Sequence, residues 1–560
     1  MQNFRCLAGI VALVLSSVAV ADAPSPNFPA TYKFKQNAEA NAVFAKFDST
    51  TSPGCAAAVA KDGKLIYSRG YGMANLDHGV PITTQTPFHV ASVSKQFTAA
   101  SVILLAQDGK LSLDDDVRKY LPEVPDFGAP ITLRQMIHHT SGLRDQWDLL
   151  GLAGWRYSKD RISDDDVLRL VARQRQLNFE PGSQFLYSNM GYTLLALVVK
   201  KVSGQSLREF TTARIFKPLG MNNSHFRDDH AEIITGFANG YDRAGDSFKT
   251  NVTNFDTTGA TSLITTPEDL LLWDENFYTG KVGGKAFIDQ MLERGKLNSG
   301  ETITYASAVG YGEYRGLTTV SHGGSDAGYR STVRRYPQQH VGIAVTCNIA
   351  EARPDELANG LSDVFLSAEL KPKDQDPKEF KPNVKSVRAK AGVYLNPVTG
   401  RVLRLVEKEG KLQRVDDDGS TQPMFAVSEN RFSAGPSSTV VFDFSGTGEQ
   451  RVITSKSGDE KPGVFQVVPE FTPSAAELNG YTGSFASDEL DLRYRVELKD
   501  GKLYVATLKQ NPLPLLPVTK DVFSSDELDN VTFVRDAGGA ITGLKVTSSR
   551  ARNNEFAKLQ

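Results

Sequence analysis

Between residues 371 and 388 the chain reads KPKDQDPKEFKPNVKSVR. This stretch is rich in lysine and proline and poor in apolar residues, the composition of a connection and not of a core element. It divides the sequence into two parts of different character. Ahead of it, strand-like runs bracket a long helical insert. Cys55–Ala60 and Lys64–Ser68 flank Lys61-Asp62-Gly63, an Asp-Gly hairpin signal. From Ser92 to Gln107 the pattern is helical and mostly apolar, with Gly109 as its stop. Residues 111–230 alternate helical patterns with turn clusters such as Pro181-Gly182-Ser183. Strands return at Tyr329–Tyr336 and Val341–Cys347, and a helix follows at roughly Arg353–Leu370. This order predicts an α+β unit with an antiparallel sheet. Residues 24–50 read as a leading helix with Phe34, Ala38, Ala42, Phe44 and Phe47 at its apolar positions.

Behind the connection come short alternating runs with Gly and Asp turns and little helical period. They read as a repeat. Gly392-Val393-Tyr394, Leu403–Glu407 and Gly410-Lys411-Leu412 are echoed by Gly480-Tyr481-Thr482, Leu492–Leu498 and Gly501-Lys502-Leu503. Val441–Phe444 is echoed by Thr532–Arg535. Two small antiparallel β-barrels are expected, at 389–470 and 475–560, each of about 80 residues. Two unrelated β-domains are the alternative.

A chain of 560 residues is too long for one hydrophobic core. Its apolar content of 40% and charged content of 23% are ordinary for a globular protein. A net charge of −2 and scattered basic residues give no reason to expect nucleic acid as a partner. The first residues read as a secretory signal over 1–21. Arg5 supplies the basic region, Leu7–Leu15 the apolar stretch, and Ala19-Val20-Ala21 the cleavage site. The expected location is therefore periplasmic or secreted, with no stable membrane insertion after cleavage. Two cysteines would remain, Cys55 and Cys347, each in an apolar strand-like run. Their spacing alone favours two buried thiols, while an oxidising compartment would also permit a disulfide.

Three short motifs carry chemistry. Ala91-Ser92-Val93-Ser94-Lys95 contains S-x-x-K, which on a helix sets Ser92 and Lys95 one turn apart on one face. A serine becomes a good nucleophile once a neighbour takes its proton, and a helix start aims backbone N–H groups at developing negative charge. Tyr187-Ser188-Asn189 is a Y-x-N motif. A tyrosine helped toward phenolate by an ammonium can act as general base and then general acid, and Asn189 offers both a donor and an acceptor. Taken alone, this motif reads sooner as a core tyrosine beside a turn asparagine. Ser321-His322-Gly323-Gly324-Ser325 opens the returning strands. Small residues there let a substrate backbone lie along the strand edge, His322 would line the pocket, and a backbone N–H joins that of Ser92 as an oxyanion hole.

S-x-x-K, Y-x-N and H-x-G, in this order, resemble the class C β-lactamase and penicillin-recognising serine hydrolase family. Ile137-His138-His139-Thr140-Ser141-Gly142-Leu143, Pro181-Gly182 and Pro218-Leu219-Gly220-Met221 strengthen the resemblance, which covers roughly residues 35–365. It implies a catalytic domain at 24–370 with a helical region beside a five-stranded antiparallel sheet and the site in the cleft between them. It implies Ser92 as the acylated residue and Lys95 and Tyr187 as its proton shuttle. Asn189 would anchor Lys95 and the ligand, His322 and Gly324 would position substrate, and the N–H groups of Ser92 and Ser325 would hold the oxyanion. It also lays the first strand antiparallel to the last, which would bring Cys55 and Cys347 together and makes a disulfide an open alternative.

Where true class C β-lactamases carry K-T-G, this chain has His322-Gly323-Gly324. A neutral histidine anchors a carboxylate more weakly than lysine, so little β-lactamase action is expected. H-x-G followed by two barrels resembles the D-aminopeptidases, in which a loop of the last domain reaches the active site and favours substrates with a free amino end. Asp488-Glu489-Leu490-Asp491 and Ser524-Ser525-Asp526-Glu527 are acidic candidates for such a loop, each read more simply as a solvated turn. Three functions follow. One is a hydrolase of amide bonds in small or D-amino-acid-containing peptides. The second is a carboxylesterase, since esters ask less of leaving-group protonation. The third is a penicillin-binding or partner-binding protein without turnover. The substrate is expected to be a small molecule or short peptide. No metal-ligand pattern and no dinucleotide fingerprint is visible, so no cofactor is expected.

Overall fold

The computed structural model describes residues 37–560 except 374–377, 417–418, 437, 439, 458–460, 508 and 526. The leader and the first part of the expected leading helix lie outside the described residues. What is described of that helix is short, Ala38–Val43, followed by a turn at Ala45–Phe47.

The central sheet is antiparallel and is built from both ends of the first unit. Its strands are β1 (Cys55–Lys61), β2 (Lys64–Tyr71), β3 (Gly310–Tyr314), β4 (Leu317–Asp326), β5 (Tyr329–Tyr336) and β6 (Val341–Cys347), in the order β3-β4-β5-β6-β1-β2. It therefore has six strands where five are expected. The addition is β3, which folds onto β4 through the turn Arg315-Gly316 and pairs with it only as far as Ser321. Beyond that point His322–Asp326 pair with β5 alone, so the other edge of this segment has no strand partner among the described residues.

Residue size sets which layer lies on which face. On β1 and β6 the residues Cys55, Ala57, Val59, Val341, Ile343, Val345 and Cys347 pack with Leu357, Ala358 and Leu361 of the helix Pro354–Phe365. The opposite face is lined by smaller groups, including Ala56, Ala58, Gly342 and Ala344, and carries the helix Pro267–Thr279. That helix comes so close that a Cβ on Gly342 would lie 2.5 Å from Asp274 Oδ2. Trp273 from the same helix donates its indole N–H to Gln96 Oε1 at 2.9 Å, joining the sheet layer to the buried helix α1 (Lys95–Gln107). The helix α2 (Asn189–Ser203) packs on α1.

The connection ends in a helix, Val384–Lys390, whose Val387 enters the core of the first β unit. That unit is one nine-stranded meander. Its two terminal strands, Thr421–Pro423 and Phe425–Ala426, are separated in sequence by Met424 alone, so the sheet is nearly closed. The second unit is a closed eight-stranded barrel, because Gly483–Ser487 pairs with both Leu492–Lys499 and Asn554–Lys558. The repeat keeps the register read from Gly410 with Gly501 and from Val441 with Thr532, and only its first pair is shifted by three residues. Gly392, not followed in frame by Gly480, matches Gly483. Each opens the first strand of its unit after a short helix, and each has φ of 148°. Gly480 instead closes the helix Ala475–Asn479. Val440–Ser445 and Asp529–Arg535 are each the third from last strand of their unit in chain order, as their similarity suggests.

Cys55 pairs directly with Cys347 across β1 and β6, and the two are joined by a disulfide that closes a loop of sequence separation 292. For so large a loop the chain-entropy contribution is about 5 kcal/mol. Replacing both cysteines by alanine is expected to lower the thermal midpoint by about 10 °C, and adding reductant to the native protein should do the same. Calorimetry on the two forms, with non-reducing peptide mapping to recover the linked pair, checks this.

Candidate active site

Ser92 lies on a single 3-10 turn, Ala91–Ser94, which passes directly into α1 at Lys95. The expected helix over 92–107 thus begins one turn late. Ala91 adopts a left-handed φ of 48°, a conformation that costs a residue with a side chain about 1 kcal/mol or more and that turns the chain sharply into the serine. Val90 O accepts a hydrogen bond from Ser331 Oγ at 2.8 Å, tying the turn to β5.

Lys95 is completely buried. Its Nζ lies 2.8 Å from Asn189 Oδ1, 2.6 Å from Ala260 O and 3.0 Å from Ser92 Oγ. The first two are acceptors only, so they take two N–H bonds. The third direction points at the serine. When the amine is neutral, that direction holds the lone pair. Burial pushes the Lys95 pKa down to about 7, against an opposing pull from the Asp145 carboxylate. Asn189 cannot be turned over, because its Nδ2 and its backbone N–H both donate to Asp145 Oδ2, at 2.8 and 2.6 Å. Asp145 is itself buried and caps the helix Gln146–Leu152.

Tyr187 is half-buried and lies over this cluster, with Lys95 Nζ 5.0 Å from its ring centre. Burial holds its phenol well above the ordinary tyrosine range, with the Ser92 hydroxyl and the Arg550 charge opposing. A resting phenolate is therefore not what this site stabilises, contrary to the expectation from the motif. The base that the environment favours is the neutral amine of Lys95.

His322 differs from expectation too. Ser188 N–H donates to His139 Nδ1 at 3.1 Å, so His139 carries its proton on Nε2 and directs it to Tyr305 Oη at 3.2 Å. Tyr305 then donates to His322 Nε2 at 3.0 Å, and His322 Nδ1 donates to Gly323 O at 2.6 Å. Each link follows from the one before it, because backbone N–H groups only donate and carbonyls only accept. Burial lowers both histidines, His322 to about 4 and His139 well below its usual value. His322 is thus a neutral, fully engaged member of a chain running behind Tyr187, on whose ring His139 packs at 4.1 Å between centres. It is not an open carboxylate anchor. Gly324 is likewise explained by packing: a Cβ there would lie 2.3 Å from both Val90 O and Ser331 Oγ. Ser325 is exposed on the segment of β4 that pairs with β5 alone, across from the Ser92 turn.

The last barrel reaches this site through Ser548–Asn553, the loop before its final strand. Arg550 N donates to Asp148 Oδ2 at 2.8 Å, and Arg550 O accepts from Asp145 N at 3.0 Å and from Asn178 Nδ2 at 2.7 Å. The Arg550 guanidinium lies 5.2 Å from the centre of the Tyr187 ring. Neither acidic candidate is this loop. Glu489, read as a solvated residue, is instead buried against Arg144. Its Oε2 accepts from Arg144 at 3.0 Å, with the two side chains 7% and 1% exposed, and its Oε1 accepts from the backbone of Arg175. Ser524 accepts from Arg404 at 3.0 Å at the junction of the two β units, and Asp526 lies outside the described residues. Sequence reading also missed Asp145, Tyr305 and Arg550. Asp145 stands two residues beyond the His-Thr-Ser-Gly-Leu segment, the one signal that could have drawn attention to it.

Among the described residues one group of side chains, Asp229, His230 and Asp256, brings ligand atoms within 4.8 Å of one another. Asp256 already takes hydrogen bonds from Arg161 and from His230, so the arrangement is an ion-pair cluster.

The Beta-lactamase family model matches residues 40–364, more than half of the chain. A D-aminopeptidase of Cereibacter sphaeroides is 26% identical over 528 residues, which cover 90% of this chain and 96% of that one. Penicillin-binding protein 4* of Bacillus subtilis is 32% identical over 291 residues, covering 50% of this chain and 64% of its own. In fold, the octameric penicillin-binding protein homologue from Pyrococcus abyssi superposes with a TM-score of 0.54 at 22% identity, over 74% of this chain and 96% of that chain.

Glu489→Gln would leave Arg144 buried without a counter-charge, a loss of about 3–5 kcal/mol for a pair this enclosed. The expected result is an early unfolding transition in denaturant for the last barrel, with hydrolytic activity lost in the same transition.

Proposed function

The chain belongs to the β-lactamase family and is a serine hydrolase, and on that premise we propose that it is an exported enzyme that cleaves amide bonds of small peptides bearing a D-amino acid. The observation that carries this reading is Lys95 itself. Its amine is buried, held by Asn189 and Ala260, and aimed at Ser92 with a pKa close to neutrality. Similarity to a D-aminopeptidase along nearly the whole chain, both β units included, supports the substrate class. The disulfide and the leader-like first residues support export.

Neutral Lys95 takes the Ser92 proton as Oγ bonds to the substrate carbonyl carbon. The carbonyl oxygen, now negative, is held by the backbone N–H groups of Ser92 and Ser325. The C–N bond breaks as Tyr187 passes its phenolic proton to the leaving nitrogen and is refilled from Lys95. Water then repeats the sequence on the acyl-enzyme and releases the acid. Tyr187 serves as a proton donor because burial keeps it protonated. His322 does not offer the cation that K-T-G would supply, so β-lactam turnover is expected to be slight.

The deciding assay compares kcat/KM for D-alanyl p-nitroanilide and p-nitrophenyl butyrate, with Ser92→Ala as the inactive control. Preference for the anilide is expected; ester turnover without anilide turnover would place the enzyme among carboxylesterases. Tyr187→Phe should lose at least tenfold more on the anilide than on the ester, since only the amine leaving group needs a full proton. Equal losses would remove the donor role. Lys95 works as the neutral amine, so kcat/KM should rise with pH through an apparent pKa of about 7. It should then hold level at least to the ordinary tyrosine range near 10.

A further inference from the structure

The Arg550 backbone is pinned at both its N–H and its carbonyl, and Asn178 also accepts from the next loop residue but one, Arg552, at 2.9 Å. Its side chain, by contrast, is spoken for by nothing but a ring. The guanidinium makes no ion pair and no hydrogen bond among the described residues and lies 5.2 Å from the centre of Tyr187. A half-buried guanidinium with five unused donors, held beside Tyr187 by a backbone hydrogen-bonded on both sides, is suited to receive an anion. The neighbouring groups do not compete for that role. Lys95 is enclosed, with its N–H bonds directed at Asn189 and Ala260, and His322 is neutral with Nε2 already accepting from Tyr305.

The position decides which anion. Tyr187 faces the leaving nitrogen in the reaction set out above, so a cation on the Tyr187 ring flanks the leaving group and not the acyl group. In a peptide whose leaving part is a single amino acid, the carboxylate is two bonds from that nitrogen. We infer that Arg550, contributed by the last barrel, binds the terminal carboxylate of the leaving amino acid, so that the preferred substrates are short peptides with a free C-terminus and not amides or anilides of the same residue. The inference rests on the hydrolase reading. It gives the last barrel a part in choosing substrate.

Two readouts test it. The first is the ratio of kcat/KM for D-alanyl-glycine over D-alanyl-glycinamide, which differ in one charge. The native enzyme should favour the acid at least tenfold. Arg550→Gln should bring the ratio to near one, chiefly through KM on the acid, and Arg550→Lys should fall between, keeping the charge without the fork. The second is inhibition of p-nitrophenyl butyrate hydrolysis by N-acetylglycine against N-acetylglycinamide, which needs no turnover of a D-peptide. The acid should inhibit more tightly in the native enzyme and lose that advantage in Arg550→Gln. Equal ratios for native enzyme in both readouts, or an acid preference that survives Arg550→Gln, would overturn the inference while leaving the hydrolase reading in place. Acid-selective inhibition that depends on Arg550, with no D-peptide cleaved, would uphold the carboxylate site and overturn the D-peptide reading.

Discussion

The burial of one amine organises the site. An ammonium removed from water loses several kcal/mol unless it is paired and bonded, and it responds by giving up its proton more readily. Here α1 begins at Lys95, so the amine is enclosed between α1, α2 and the loop that carries Ala260. Its bonds are counted out: two to fixed acceptors, one direction left for Ser92. Asn189 is fixed in turn by Asp145, and Asp145 by a helix N-terminus and by the loop of the last barrel. A single desolvated group therefore places demands on residues spread over some hundreds of positions.

The chain of neutral donors through His139, Tyr305 and His322 is a second device of the same kind. Each hydrogen bond is directional, and burial keeps both imidazoles uncharged. The histidine of the third motif thereby has both ring nitrogens engaged and stands in the wall behind Tyr187. Among the described residues a positive charge is set on the Tyr187 ring by Arg550, from a different unit of the fold. The last barrel is held to the first unit by groups it buries, notably Arg144 against Glu489 and Tyr494, whose hydroxyl donates to Leu152 O at 2.7 Å. Separating such partners strands polar groups in the interior, so the contact is specific and costly to open.

Much of this was legible in the sequence because it is encoded locally. Hydrophobic period, an Asp-Gly turn and a Lys/Pro-rich break are properties of neighbouring residues, and from them come the split sheet, the helical insert and the two β units. S-x-x-K is local too: three residues bring Ser92 and Lys95 to 3.0 Å on one turn. The repeat is legible in the sequence too, and only its first pair falls three residues out of register, because Gly480-Tyr481 and Gly483-Ser484-Phe485 both set an aromatic close behind a glycine.

What only the tertiary structure decided concerns groups that meet across the chain. Asp145 beside Asn189, Tyr305 beside His322, Glu489 beside Arg144 and Arg550 over Tyr187 are pairs whose sequence separations run from 17 residues to several hundred. No spacing rule joins them. Their ionisation states depend on how much water the assembled fold removes, which no local pattern reports. Sequence alone thus determined the types of element and the nucleophile–amine pair. Folding decided which base is neutral, which histidine is occupied and which cation is laid on the Tyr187 ring, because burial and hydrogen-bond direction exist only once distant segments are packed together.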